Sequence, residues 1–97
     1  MYEVEQTPIY SAWHSSLRDQ RGKGLVTARI FRLTEGNFGD AKSLGEGVHE
    51  LRIAFGPGYR VYFTRRGERI ILLLCGGDKG SQSRDIAQAK RMASELE

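Results

Sequence analysis

Arg52, Arg60 and Tyr62 are the residues whose types and spacing best suit chemistry in this sequence. From Val48 the chain alternates with period two: His49, Leu51, Ile53 and Phe55 fall on one side, Glu50, Arg52 and Ala54 on the other. After Gly56-Pro57-Gly58, Tyr59, Val61 and Phe63 alternate with Arg60, Tyr62 and Thr64. A tight turn there predicts Phe55 opposite Tyr59, Ile53 opposite Val61 and Leu51 opposite Phe63, an apolar face for the core. The other face then carries Glu50, Arg52, Arg60 and Tyr62, with Arg52 opposite Tyr62 and diagonal to Arg60. On that face Arg60 owes nothing to the core. Two guanidiniums beside an aromatic ring suit a phosphate and an unstacked base. The plainer reading is a solvated sheet face with a Glu50–Arg52 ion pair.

A second charged locus runs from Gly76 to Asp85, through Gly77, Asp78, Lys79, Gln82 and Arg84. The glycine pair allows backbone amides to approach an anion where a helix begins. The lysine lacks the glycine spacing of a phosphate-binding Walker loop, so nucleotide binding is not expected. Read structurally, the segment is a strand-to-helix loop in which the charge of Asp85 favours the helix N-terminus. Metal and nucleophile chemistry have little support, because the chain has two histidines, His14 and His49, and one cysteine. His49 falls on the core side as a packed, hydrogen-bonded imidazole, and Cys75, ending an apolar run, reads as a buried thiol.

These residues need a scaffold, and the pattern supplies one. Tyr2 and Val4 alternate as a short strand, and Thr7-Pro8 offers an N-cap with proline at the first helical position. Ile9, Trp13 and Leu17 make an apolar stripe. Arg21-Gly22-Lys23-Gly24 breaks the pattern, which restarts at Val26, Ile30 and Leu33 and closes at Gly36-Asn37, giving a helical hairpin. Residues 36 to 47 have neither period and read as a loop. Ile70 to Leu74 is apolar at every position, as a strand covered on both sides must be. A last helix follows a serine cap at Ser81 or Ser83, with Ile86, Ala89, Ala93 and Leu96 as its stripe. The order β-α-α-β-β-β-α defines an α+β fold, a mostly antiparallel sheet packed by an N-terminal helical hairpin and a C-terminal helix.

Ninety-seven residues are expected to form a single domain, residues 1–97, with one modest core. Fifteen Lys and Arg against twelve Asp and Glu leave a net charge of +3, which permits an anionic partner without requiring one. The apolar run from Ile70 to Cys75 is far below the roughly 20 residues of a membrane span. With no signal-like N-terminus, a cytoplasmic protein without membrane association is expected.

Several segments taken together resemble the phage-derived, HigB-like addiction-module killer proteins of the RelE/ParE superfamily. They are Arg32-Leu33 with Gly36 to Asp40, Gly47 to Ile53, Gly56 to Phe63, and Leu73 to Lys79 with Gln82 and Asp85-Ile86. The resemblance covers nearly the whole chain. It implies a RelE-like fold and the toxin of a type II toxin–antitoxin system, a ribosome-dependent mRNA endoribonuclease that inhibits translation. Cleavage would use the ribose 2′-OH, with no cofactor and no metal. Arg60 stands where such toxins keep a phosphate-binding arginine, Arg52 where they keep a basic residue on the preceding strand, and Lys79 where one follows the last strand.

Two departures stand out. RelE has a further basic residue where this chain has Glu50, and a tyrosine near the start of its last helix where this chain has Asp85. Asp85 or Glu50 is then the candidate base, and Tyr62 or Lys79 the candidate acid, with Tyr59, Tyr62, Gln82 and Arg84 as candidate substrate contacts. The resemblance also implies a helix-turn-helix antitoxin as partner, ribosome and mRNA as targets, and operator DNA bound only through the antitoxin complex. A ParE-like gyrase poison, or an inactive phage-remnant interaction module, is the alternative.

Overall fold

The computed structural model describes residues 1–96. Its elements are β1 (Glu3–Gln6), α1 (Pro8–Ser16), α2 (Gln20–Thr34), β2 (Ala41–Gly45), β3 (Val48–Ile53), β4 (Tyr59–Arg66), β5 (Ile70–Gly77) and α3 (Gln82–Ser94), with a 3₁₀ turn at Lys79–Ser81 before α3. The five strands form one mixed sheet in the order β1-β5-β4-β3-β2, with β1 parallel to β5 and the other pairs antiparallel. The α+β class and both ends of the expected order hold. One strand, β2, was not expected, because residues 36 to 47 carry too few apolar side chains to show a period.

The helix starts follow capping chemistry. Thr7 accepts a hydrogen bond from the Tyr10 amide with Pro8 beside it, and Asp19 accepts from the amides of Arg21 and Gly22. Gly22 and Gly24 therefore lie inside α2 rather than breaking the hairpin, and the link is the short stretch before Asp19. Gly22 has a packing reason: a Cβ there would lie 2.6 Å from the Tyr59 ring. On α1 the buried residue is Tyr10, while Ile9, expected in the stripe, is 45% exposed.

The sheet is covered on both faces, and strand alternation sorts the residues between them. Leu51, Ile53, Tyr59, Val61, Phe63, Ile71 and Leu73 meet Tyr10, Val26 and Leu33 of the helical hairpin. Val48, Tyr62, Leu72, Leu74 and Cys75 meet Ala89 of α3. A bulge against Tyr62 and Phe63 leaves Leu74 unpaired with β4, and the Leu74 carbonyl instead accepts from the Thr7 hydroxyl at 2.6 Å. The bulge turns consecutive Leu74 and Cys75 toward the same layer; alternation then resumes, and Gly76 and Gly77 face opposite layers. Trp13 lies against Gly76, where a Cβ would be 2.2 Å from its ring, and Asp85 lies against Gly77. Among the described residues no helix is long and apolar enough to cross a membrane.

Candidate functional site

Strand register decides which charges meet. Ile53 pairs with Tyr59, Leu51 with Val61, and His49 with Phe63, two residues from the expected register. The shift is even, so the faces are as expected while the neighbours change. Arg52 lies opposite Arg60, not Tyr62, and Glu50 lies opposite Tyr62. On its other side Arg60 pairs with Gly77 of β5, and Lys79 follows two residues later. The turn at Gly58 draws these together: a Cβ there would lie 3.4 Å from both Arg60 Nη1 and Lys79 Cβ, and the Lys79 amide donates to the Pro57 carbonyl at 3.4 Å. Gly58 has φ +79°, so glycine is favoured on conformational grounds as well.

Arg29 of α2 joins this end of the sheet. Its Nη1 donates to the Arg52 carbonyl at 2.8 Å and its Nη2 to the Phe38 carbonyl at 3.4 Å. Arg52 itself donates to Asp40 Oδ1 from Nη2 at 2.8 Å and from Nε at 3.2 Å. Those hydrogen bonds hold the Asp40 carboxyl below the usual carboxylate range, helped by the charges of Arg52, Arg29 and Arg60. Sequence reasoning missed Arg29 and Asp40. Gly39 leaves the room that Arg29 uses, since a Cβ there would lie 2.8 Å from its Nη2.

Beneath the cations sits a buried polar cluster. Glu50 has no exposed surface, Tyr62 has none, and Asp85 is 6% exposed. Glu50 Oε2 accepts from the Tyr62 hydroxyl at 3.2 Å and from Gln82 Nε2 at 2.7 Å, and lies 3.8 Å from Arg60 Nε. Burial pushes the Tyr62 phenol far up, with the charge of Glu50 adding to it. Asp85 Oδ2 accepts from the Ser81 hydroxyl. Ser81 stands at the N-cap position of α3, as expected, but makes no side-chain cap bond to it; Asp78 caps the 3₁₀ turn ahead of α3, accepting from the amides of Gly80 and Ser81.

The candidate residues therefore divide. Arg52, Arg60, Lys79 and Gln82 come together around one end of β3, β4 and β5. Glu50 and Tyr62 lie under α3, so that face is not solvated, Glu50 pairs with Arg60 and not Arg52, and Tyr62 cannot stack a base from where it sits. Tyr59 is 7% exposed in the opposite layer, its ring 6.3 Å from that of Trp13, and so is core and not a substrate contact. Arg84 projects outward, its side chain 83% exposed and Nε 4.0 Å from Asp85 Oδ1. His49 stacks on Phe63 at 5.2 Å between centroids; no hydrogen bond to it is seen among the described residues. Cys75 is buried as expected, and burial pushes its thiol up to about 12.

Fold and site define a three-layer α+β domain in which cations ring one end of the sheet above a buried carboxylate. No model of a known protein family matches the chain. It is 48% identical over 94 residues to an uncharacterized protein of Haemophilus influenzae, an alignment covering 97% of this chain and 95% of that one. The chain belongs to the same family as that protein.

Proposed function

We propose that this protein is a RelE-like toxin of a type II toxin–antitoxin pair, a ribosome-dependent endoribonuclease that cuts mRNA without a metal. The observation that carries the reading is the setting of Arg60: between Arg52 and Gly77 in register, with Lys79 brought alongside through Gly58. Attack of the neighbouring 2′-OH forms a 2′-O–P bond as the P–O5′ bond breaks; charge builds on the phosphorane between the two, and fixed guanidinium and ammonium groups stabilise it as a metal would. Arg60 and Lys79 take that role, with Arg52 beside them. The exposed ammonium of Lys79 is the group able to reach a leaving 5′-oxygen. Ser81, whose hydroxyl donates to Asp85 Oδ2, offers a path by which Asp85 would take a proton.

A helix-turn-helix antitoxin would cover the cationic end with an acidic or groove-filling segment, and the pair would bind operator DNA through the antitoxin. The test is to induce the protein and map mRNA 5′ ends against reading frame, beside Lys79→Ala and Arg60→Lys. Cuts in frame with 5′-hydroxyl ends, sharply reduced but still measurable in Arg60→Lys and reduced in Lys79→Ala, are expected. A single 2′-deoxy nucleotide at the cleaved position of a programmed A-site codon should block the cut. Intact messages during growth arrest, 5′-phosphate ends, or cutting of the 2′-deoxy message would overturn the reading, and arrest with DNA breaks alone would indicate a gyrase poison.

A further inference from the structure

Glu50 presents a contradiction that its neighbours resolve. A general base must come within hydrogen-bond reach of the proton it removes. Glu50 has no exposed surface, Oε2 already accepts two hydrogen bonds, and Oε1 is buried with no hydrogen-bond partner among the described residues. The other orphan at this place is Arg60 Nε, also buried without a hydrogen bond. Buried polar atoms are ordinarily paired, so an unbonded oxygen and an unbonded guanidinium nitrogen on two side chains of opposite charge mark a place where charge, and not hydrogen bonding, sets the geometry. Arg60 Nε and Glu50 Oε2 are 3.8 Å apart, close for an ion pair and too far for a hydrogen bond. The guanidinium is fixed at one further point, where Nη1 donates to the carbonyls of Gly58 at 3.1 Å and Tyr59 at 3.4 Å.

We propose that Glu50 is a positioning residue: buried out of reach of RNA, it holds the Arg60 guanidinium by charge from below and ties it, through Gln82, to the start of α3. This rests on the reading of Arg60 as the phosphate-binding group. Nη1 is bound to the turn and Nε faces the buried carboxylate, so Nη2 is the nitrogen left to meet an anion. Gln82 sits in the first turn of α3 and donates the shortest bond Glu50 receives, which makes the carboxylate the joint between that helix and the cation.

The experiment uses Glu50→Gln, which keeps the shape and an oxygen to accept from Tyr62 and Gln82 while removing the charge, and Gln82→Ala, a change at a helix start that leaves the core untouched. The first readout is the Arg60 Nε–H signal in ¹⁵N NMR, assigned by its loss in Arg60→Lys. In the wild type it should be a resolved, slowly exchanging resonance. It should broaden and exchange with solvent in Glu50→Gln, and partly so in Gln82→Ala. If Glu50→Gln does not fold, Gln82→Ala decides alone. The second readout is ribosomal cleavage. Glu50→Gln should lower kcat about 10- to 100-fold, the cost of misplacing a catalytic group, with little change in KM and the acid limb of the pH profile kept. In an Arg60→Lys background it should add nothing, since two residues acting as one unit are not additive. An unchanged Arg60 signal in a folded variant, loss of the acid limb, or additive effects would overturn the assignment. A wild-type protein that cleaves nothing overturns the nuclease reading instead, and the NMR result still decides where Glu50 places Arg60.

Discussion

Asp85 Oδ2 occupies the space in which a side chain on Gly77 would begin: a Cβ built there would lie 1.8 Å from that oxygen and 2.8 Å from Ser81 Oγ. The second glycine of the pair is thus required by a carboxylate on the helix above it, and the first by Trp13 on the helix below.

Gly77→Ala should therefore push the start of α3 off the sheet and destabilise the domain by about 1–3 kcal/mol, the usual range for overpacking. Asp85→Ala in the same chain should recover part of the loss, because it removes the atom that collides. Urea titrations of both single variants and the double variant measure this. Losses that simply add would show that the two residues do not contend for one space.

Arg60→Ala should cost stability as well as function, contrary to the expectation for a solvated face. It leaves Glu50 buried without its countercharge, a change that typically costs about 3–5 kcal/mol. Adding Glu50→Gln should return part of that stability without restoring cleavage. An Arg60→Ala protein as stable as the wild type in urea would place the guanidinium in solvent.

Proton transfer is tested at the start of α3. If Asp85 draws the 2′-OH proton through Ser81, Asp85→Asn and Ser81→Ala should each slow cleavage about 10²- to 10⁴-fold with RNA binding nearly unchanged. Normal rates in both variants would remove this pair from the chemistry, leaving the cations as the protein's contribution.

Both histidines should make the domain acid-sensitive. The pKa of His49 is lowered by burial and then by the charge of Arg65, and that of His14 by burial and then by Lys23. The unfolded chain then takes up protons at a higher pH than the folded one, so stability falls as pH drops below about 6.5 and levels off once the native imidazoles also charge. Thermal melts from pH 8 to 5 should show this fall, and replacing both histidines by glutamine should flatten it. A profile unchanged by that replacement would locate the sensitivity elsewhere.

Alternation carried much of this fold. It placed Leu51, Ile53, Val61 and Phe63 on the correct face although the pairing is offset by two residues, because an even offset preserves every side chain's direction. The offset arises because residues 54 to 58 all lie outside the ladder, a longer connection than three turn residues suggest. Strand β2 was not legible: Ala41 and Leu44 are its only apolar residues, and a register shift between Ser43 and Gly45 breaks the alternation.

The buried cluster was half legible. Taken alone, a polar strand face reads as solvated, yet the wholly apolar β5 beside it requires cover on both sides of the sheet. A helix broad enough to cover one face of β5 also reaches β4, which puts Tyr62 and Glu50 under α3. Arg52 and Arg60 were found because charge at the end of a strand needs no partner to be noticed. Asp40 was missed because its role depends on a loop returning beside β3.

The parallel pairing of β1 with β5 sets the order in which the chain can become native. Glu3 pairs with Ile70 and the Thr7 hydroxyl with the Leu74 carbonyl, a separation of 67 residues. During synthesis the first strand has no edge to join until β5 has left the ribosome, and closing so long a loop has to be compensated by contacts made only then. The antiparallel run from β2 to β5 can assemble locally beforehand, since each strand follows its neighbour in the chain. Seating of the N-terminal strand against β5 is thus expected to be a late event of folding. Until it happens, the apolar face that α1 and α2 will cover is open to other chains.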